Sequence, residues 1–307
     1  MAWMVLAIGA SVAAQATQAA PGQAPVLVRR EAPKPVVEGS DTCLPLQLSG
    51  ALPVITATLG GRSLKFGFDT GAPGGPHINP TILDQLKAPQ IGEARVSDPS
   101  LKNPVAVGIF EISDLKLGKL TVAKWQATGH PPRPDRLGEP DGIIGLDSFS
   151  GYVVTVDYPG GRLLATKGRL PEPDGRTSFR YEGSIPRVPL TIEGKAIDAH
   201  IDTGNSRYPL IVPEAYAAQL SGFANRFPIG IARSVNNKFD LMAQPVSDAK
   251  VGDIPLYAST AAFPAPAARG NIGSQLLRDF VLKVDPANRI VALERARPGL
   301  ENGCPNA

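Results

Sequence analysis

Two cysteines and three histidines in 307 residues leave little material for metal or redox chemistry. His77, His130 and His200 are scattered without the close spacing of a ligand set, so no metal and no cofactor are expected. Charge is equally thin. Lys and Arg number 31 against 28 Asp and Glu, a formal net charge of +3, and no basic run provides a footprint for nucleic acid or an anionic membrane. Long apolar runs are also scarce. The candidate at residues 3–14 is shorter than the roughly 20 residues a membrane span needs. It is followed by small residues at Ala14-Gln15-Ala16 and Gln18-Ala19-Ala20, so residues 1–20 read as a cleavable secretory signal, although they lack a Lys or Arg at the start. An uncleaved anchor is the alternative. Export to the periplasm or outside the cell follows from cleavage, with no stable membrane span afterwards. Residues 21–42, rich in Pro and without periodicity, are expected to be a disordered lead-in. Cys43 and Cys304 flank everything else. In an exported protein they suit one disulfide tying the ends together; two free thiols or an intermolecular bond are the alternatives.

Against these absences stands a repeat. Phe66-Gly67-Phe68-Asp69-Thr70-Gly71-Ala72 returns as Ala199-His200-Ile201-Asp202-Thr203-Gly204-Asn205. The frame around each Asp-Thr-Gly matches too: Gly61 with Gly194, Leu64 with Ile197, Ile78-Asn79-Pro80 with Ile211-Val212-Pro213. Further on, Gly142-Ile143-Ile144-Gly145 matches Gly270-Asn271-Ile272-Gly273, and Val156-Asp157 matches Val284-Asp285. A repeat this long indicates a duplicated lobe rather than a solenoid unit.

Each copy opens with period-two alternation around a glycine turn, residues 54–59 and 63–68 in the first and 188–192 and 196–201 in the second, which predicts a β-hairpin. Its second strand delivers the Asp at a strand end, where Gly71 and Gly204 permit positive φ and close backbone approach. A short helix is expected to follow in each copy, with Pro80 or Pro213 at its first position.

These residues resemble the aspartic peptidases, both the two-lobed pepsin-like enzymes and the retropepsin-like ones that build one site from two identical chains. The resemblance spans residues 53–296 and rests on three features: the two Asp-Thr-Gly loops; the loop-crossing motifs Ile143-Ile144-Gly145 and Asn271-Ile272-Gly273; and the closing run from Gln275 to Leu293. It implies an all-β, two-lobed fold, each lobe a closed or partly closed β-barrel with a short helix, related by a pseudo-two-fold axis. The lobes would be residues 43–168 and 169–307, divided in the Pro- and Gly-containing stretch 168–175.

The implied function is an aspartic endopeptidase acting on a peptide or protein substrate, expected to be a monomer in which Asp69 and Asp202 activate a water. Two carboxylates held together cannot both ionise, so they share a proton: one acts as base, the other as acid. Pepsin itself is the standard illustration of this behaviour. In the family, Thr70 and Thr203 brace the loops across the axis, and no metal takes part.

Asn205 and a missing flap tyrosine motivate an alternative, a catalytically weak or silent relative that binds peptide or a protein partner in the cleft. Ala72 stands at loop position four as in retroviral-type enzymes. Asn205 stands there in the second copy, where Ser, Thr or Ala is usual. Asn271 replaces an apolar residue, and no Tyr lies between Gly71 and Gly151 to serve as a flap tyrosine. Pairing of each lobe with another chain, giving an obligate dimer, is a third arrangement. Asp141, Asp157 and Asp285 read as turn residues, His200 as a packed neutral side chain, and Trp125 and Phe110 as core.

Overall fold

Hairpin chemistry sets the architecture in both copies. In the computed structural model, which describes residues 34–96, 104–129, 140–233, 238–264, 269–296 and 303–304, strand Leu52–Leu59 pairs antiparallel with Arg62–Phe68. Gly60 and Gly61 form the two-residue connection at φ 56° and 77°, the left-handed pair that matches strand twist in a tight hairpin. Strand Arg187–Ile192 pairs in the same way with Lys195–Asp202. There Glu193 takes φ 51° beside Gly194 at 76°. Its carboxylate accepts the Ser221 N–H at 2.7 Å and the Ser221 hydroxyl at 3.0 Å, tying the turn to a neighbouring segment.

Alternation then buries one face of each hairpin. Ile55, Ala57, Leu59, Leu64, Phe66 and Phe68 are buried in the first, Leu190, Ile192, Ala199 and Ile201 in the second. Apolar burial at about 25 cal/mol per Å² is the main term holding such sheets together. One continuous apolar cluster runs from Leu44 to Leu293 and includes residues of both copies.

The described residues are 54% strand and 10% helix, so the protein is all-β, with curled, partly barrel-like sheets. Nine strands between Val37 and Ile144 form one sheet, nine between Arg187 and Gly273 a second, and six strands drawn from both copies a third. The same local topology occurs twice. Gly142–Ile144 lies parallel to Arg62–Phe68 and antiparallel to His77–Ile78; Gly270–Gly273 lies parallel to Lys195–Asp202 and antiparallel to Leu210–Ile211.

In the third sheet Val153–Asp157 pairs antiparallel with Phe280–Asp285, and Thr155 stands opposite Lys283. Each of these two residues follows the last glycine of its own copy's loop-crossing motif by ten positions. Equivalent residues facing each other in an antiparallel pair is the signature of a local two-fold axis, here running between the two copies. The stretch 168–175, expected to separate the lobes, carries no strand.

Several expectations are refined. Residues 1–20, the expected signal, lie outside the described residues, as does His130. Within the expected lead-in, Val37–Gly39 is a strand paired with residues 120–122, and Tyr152 Oη donates to the Gly39 carbonyl at 2.8 Å. Pro-rich composition hid a segment whose order comes from a distant strand edge. The first helix, Pro80–Gln85, starts at Pro80 and is capped by Asn79, whose Oδ1 accepts the Thr81 N–H at 3.0 Å. The second, Glu214–Ala217, starts one residue later than expected, with Pro213 as its N-cap. No helix among the described residues is long and apolar enough to cross a membrane.

The disulfide between Cys43 and Cys304 is formed, with Cα atoms 5.6 Å apart across 261 residues of sequence. Cys43 sits in strand Thr42–Pro45 opposite Leu164. Gly303 N–H donates to the Gly160 carbonyl at 2.7 Å, which returns the end of the chain to the same sheet.

Candidate active site

Both Asp-Thr-Gly loops arrive at one place. Asp69 follows strand Arg62–Phe68, Asp202 ends strand Lys195–Asp202, and their carboxyls lie within hydrogen-bonding reach of each other. Asp69 is 1% exposed and Asp202 is fully buried. Burial, and then the Asp202 charge, hold the Asp69 carboxyl well above the usual carboxylate range. Burial also raises Asp202, opposed first by a hydrogen bond from Asn271.

The loops are laced to each other by the threonines. Thr70 N–H donates to Thr203 Oγ1 at 2.9 Å, and Thr203 N–H to Thr70 Oγ1 at 3.1 Å. Each hydroxyl in turn donates to the opposite strand, Thr70 to the Ile201 carbonyl at 2.7 Å and Thr203 to the Phe68 carbonyl at 2.8 Å. The reciprocity repeats the two-fold relation seen in the shared sheet.

Within each loop, backbone donors hold the inner carboxylate oxygen. Gly71 N–H reaches Asp69 Oδ1 at 2.7 Å; Gly204 and Asn205 N–H both reach Asp202 Oδ1 at 3.0 Å. Close approach, rather than a left-handed backbone, explains Gly204: a Cβ there would collide with the Asp69 carboxylate. Behind the loops, Asp69 N–H donates to the Ile144 carbonyl at 2.9 Å, and Ser274 N–H to the Asn205 carbonyl at 2.9 Å. A Cβ on Gly145 would strike the Ala72 carbonyl, and one on Gly273 the Tyr208 carbonyl. Ile144 and Ile272 are fully buried beside these glycines.

The two halves differ in their polar contacts. Asn205 does not donate through its side chain to Asp202. Its Nδ2 donates to the Tyr208 carbonyl at 3.0 Å and to Asn271 Oδ1 at 2.8 Å, while its Oδ1 accepts the Tyr208 N–H at 3.2 Å. Asn271 is the residue that reaches the dyad, its Nδ2 standing 2.6 Å from Asp202 Oδ2. Ala72 in the first loop is buried and carries no polar side-chain atom.

Two supporting residues lacked any recognised signal in the sequence. Ser274 Oγ donates to the Thr203 carbonyl at 2.7 Å and lies 2.9 Å from Tyr158 Oη. Burial pushes the Tyr158 phenol far up, so it stays neutral beneath the pair. The sole hint was position: Ser274 follows the second crossing motif and Tyr158 follows Asp157.

His200 shares a strand face with Asp202. Burial, followed by the Arg269 charge, pushes its pKa down to about 4, with Asp198 opposing; it is neutral near neutral pH, as a packed imidazole should be. Trp125 is buried, and Phe110 packs against the core. Asp157 accepts Gly160 N–H at 2.9 Å and pairs with Arg162 at 2.9 Å; Asp285 accepts Asn288 N–H at 3.0 Å. Both close turns. Asp141 does more than that: its carboxylate accepts Lys65 N–H at 2.7 Å, and its own N–H donates to the Lys65 carbonyl at 2.7 Å, locking it to the dyad strand. Among the described residues, no three His, Cys, Asp or Glu side chains gather as a metal site. No protein-family model matches the chain, and no curated protein matches it.

Proposed function

We propose that this chain is an aspartic endopeptidase of the two-lobed, pepsin-like and retropepsin-like kind, with Asp69 and Asp202 as its catalytic pair. The observation that carries the reading is the meeting of two buried carboxyls at the ends of two equivalent strands, with loops laced reciprocally through Thr70 and Thr203. Two carboxyls this close cannot both ionise freely, so the pair holds one proton between its two titration steps. The ionised one takes a proton from a water molecule as the water oxygen attacks the scissile carbonyl carbon, and the protonated one gives its proton to the carbonyl oxygen. In collapse of the resulting diol, the first carboxyl passes its proton to the leaving nitrogen while the second recovers one from a diol hydroxyl. The C–N bond breaks, and the pair returns to its starting state.

The Cys43–Cys304 disulfide fits an extracellular setting, and we place the mature enzyme in the periplasm or outside the cell, acting on peptide or protein substrates. Asp69→Asn and Asp202→Asn test the pair. Each should reduce kcat/KM on a cleaved peptide by at least about 10³-fold, and the double variant should be hardly worse than either, because residues acting as a unit are non-additive. Near-wild-type turnover in either single variant, with the fold retained, would remove the shared site.

A further inference from the structure

Asn271 and Ile143 hold equivalent places. In parallel register Asn271 lies beside His200, two residues before Asp202, and Ile143 lies beside Gly67, two residues before Asp69. One half of the molecule therefore puts an amide where the other puts a hydrocarbon. Resting on the proposed dyad, we propose that Asn271, oriented by Asn205, is a positioning residue that makes Asp202 the general base and leaves the shared proton on Asp69.

The orientation of the amide is set by a chain of contacts that ends on fixed backbone. Asn205 Oδ1 accepts Tyr208 N–H and its Nδ2 donates to the Tyr208 carbonyl, so a backbone donor and a backbone acceptor together fix which end of the Asn205 side chain is which. That Nδ2 donates to Asn271 Oδ1 at 2.8 Å, which turns Asn271 Nδ2 toward Asp202 Oδ2 at 2.6 Å. Flipping Asn271 would set amide N–H against amide N–H on one side and oxygen against carboxylate on the other.

The result is unequal stabilisation of the two carboxylates. Asp202 receives Gly204 and Asn205 N–H on Oδ1 and Asn271 N–H on Oδ2. Asp69 receives Gly71 N–H at 2.7 Å and an approach from Gly204 N–H across the pair. Where the second half has Asn205 and Asn271, the first has Ala72 and Ile143, neither with a side-chain donor. Hydrogen bonds to the charged form favour ionisation, and donors to an anion are the strong ones. Burial raises the Asp69 carboxyl, and ionisation at Asp202 raises it further through its charge.

Other groups around the pair do not supply this asymmetry. Tyr158, below the loops, is neutral, and Ser274 donates to a carbonyl rather than to either carboxylate. His200 is neutral above about pH 4. Its charged neighbours are occupied with one another: Asp198 pairs with Arg187 at 2.7 Å and with Arg269 at 3.2 Å. In the catalytic cycle the assignment makes Asp202 the acceptor of the water proton and Asp69 the donor to the carbonyl oxygen.

The test combines a direct titration with kinetics. Aspartate-selective ¹³C-carboxyl NMR, assigned with the Asp→Asn variants, should show Asp202 ionising at lower pH than Asp69 in the wild-type protein. Asn271→Leu removes the donor and leaves Asn205 bonded to Tyr208; Asn271→Ala is the fallback should Leu not fold. In either variant the Asp202 transition, and with it the acid limb of the kcat/KM profile, should move up by about one pH unit or more. An unmoved transition and limb in a folded variant would overturn the proposal, as would a wild-type Asp202 that holds its proton to higher pH than Asp69. The titration needs no substrate: the predicted order of ionisation in a protein that cleaves no peptide would support the positioning role while refuting the peptidase.

Discussion

Asp69 is 1% exposed, lies beside a second carboxyl, and has its pKa raised first by burial and then by the Asp202 charge. The sign of the linkage follows. Below the unfolded value near 3.8 both states are protonated and nothing is lost. As pH rises past it, the unfolded chain releases the proton while the folded protein retains it, so stability declines until pH passes the folded value. Asp69→Asn abolishes that decline and keeps a side-chain amide next to Asp202. The variant should be more stable than wild type at pH 7 by on the order of 1 kcal/mol or more and should match it more closely near pH 4. Urea unfolding at the two pH values measures this; a variant less stable than wild type at pH 7 would show that the buried pair carries no such strain.

At the scale of elements, the loops depend on each other through two hydroxyls. Thr203→Val removes the acceptor of Thr70 N–H and the donor to the Phe68 carbonyl, both buried. Orphaned buried groups cost about 1–3 kcal/mol each, so a loss of roughly 2–6 kcal/mol is expected in urea unfolding. Thr203→Ser keeps the hydroxyl and should lose only about 1 kcal/mol for the missing buried methyl. Equal losses in the two variants would mean that packing, and not the reciprocal bonds, holds the loops. Much at this scale was readable from sequence, because period-two alternation and the pairs Gly60-Gly61 and Glu193-Gly194 are local signals. The Val37–Gly39 strand was not, since its order comes from residues 120–122. Nor was the Asn271 contact: its departure from the pattern was visible, but the atom it meets is 69 residues away and is set by strand register.

The whole molecule is held by more than the dyad loops. Val153–Asp157 and Phe280–Asp285 join the copies in one sheet, a single apolar cluster crosses between them, and the Cys43–Cys304 bridge closes a 261-residue span. The duplication was legible as matched motifs, but the shared sheet was not, because nothing local in Val156-Asp157 or Val284-Asp285 announces that the two strands pair. This arrangement places two carboxyls about a local two-fold axis and then breaks the symmetry with Asn205 and Asn271, and the central claim is that the pair hydrolyses peptide bonds. The most direct measurement is digestion of a diverse peptide library by the purified protein, with and without a statine-type mimic of the tetrahedral intermediate. Cleavage at internal peptide bonds that the mimic abolishes is the predicted result. Intact peptides across the pH range, from a folded protein that still binds them, would contradict it and leave binding without hydrolysis.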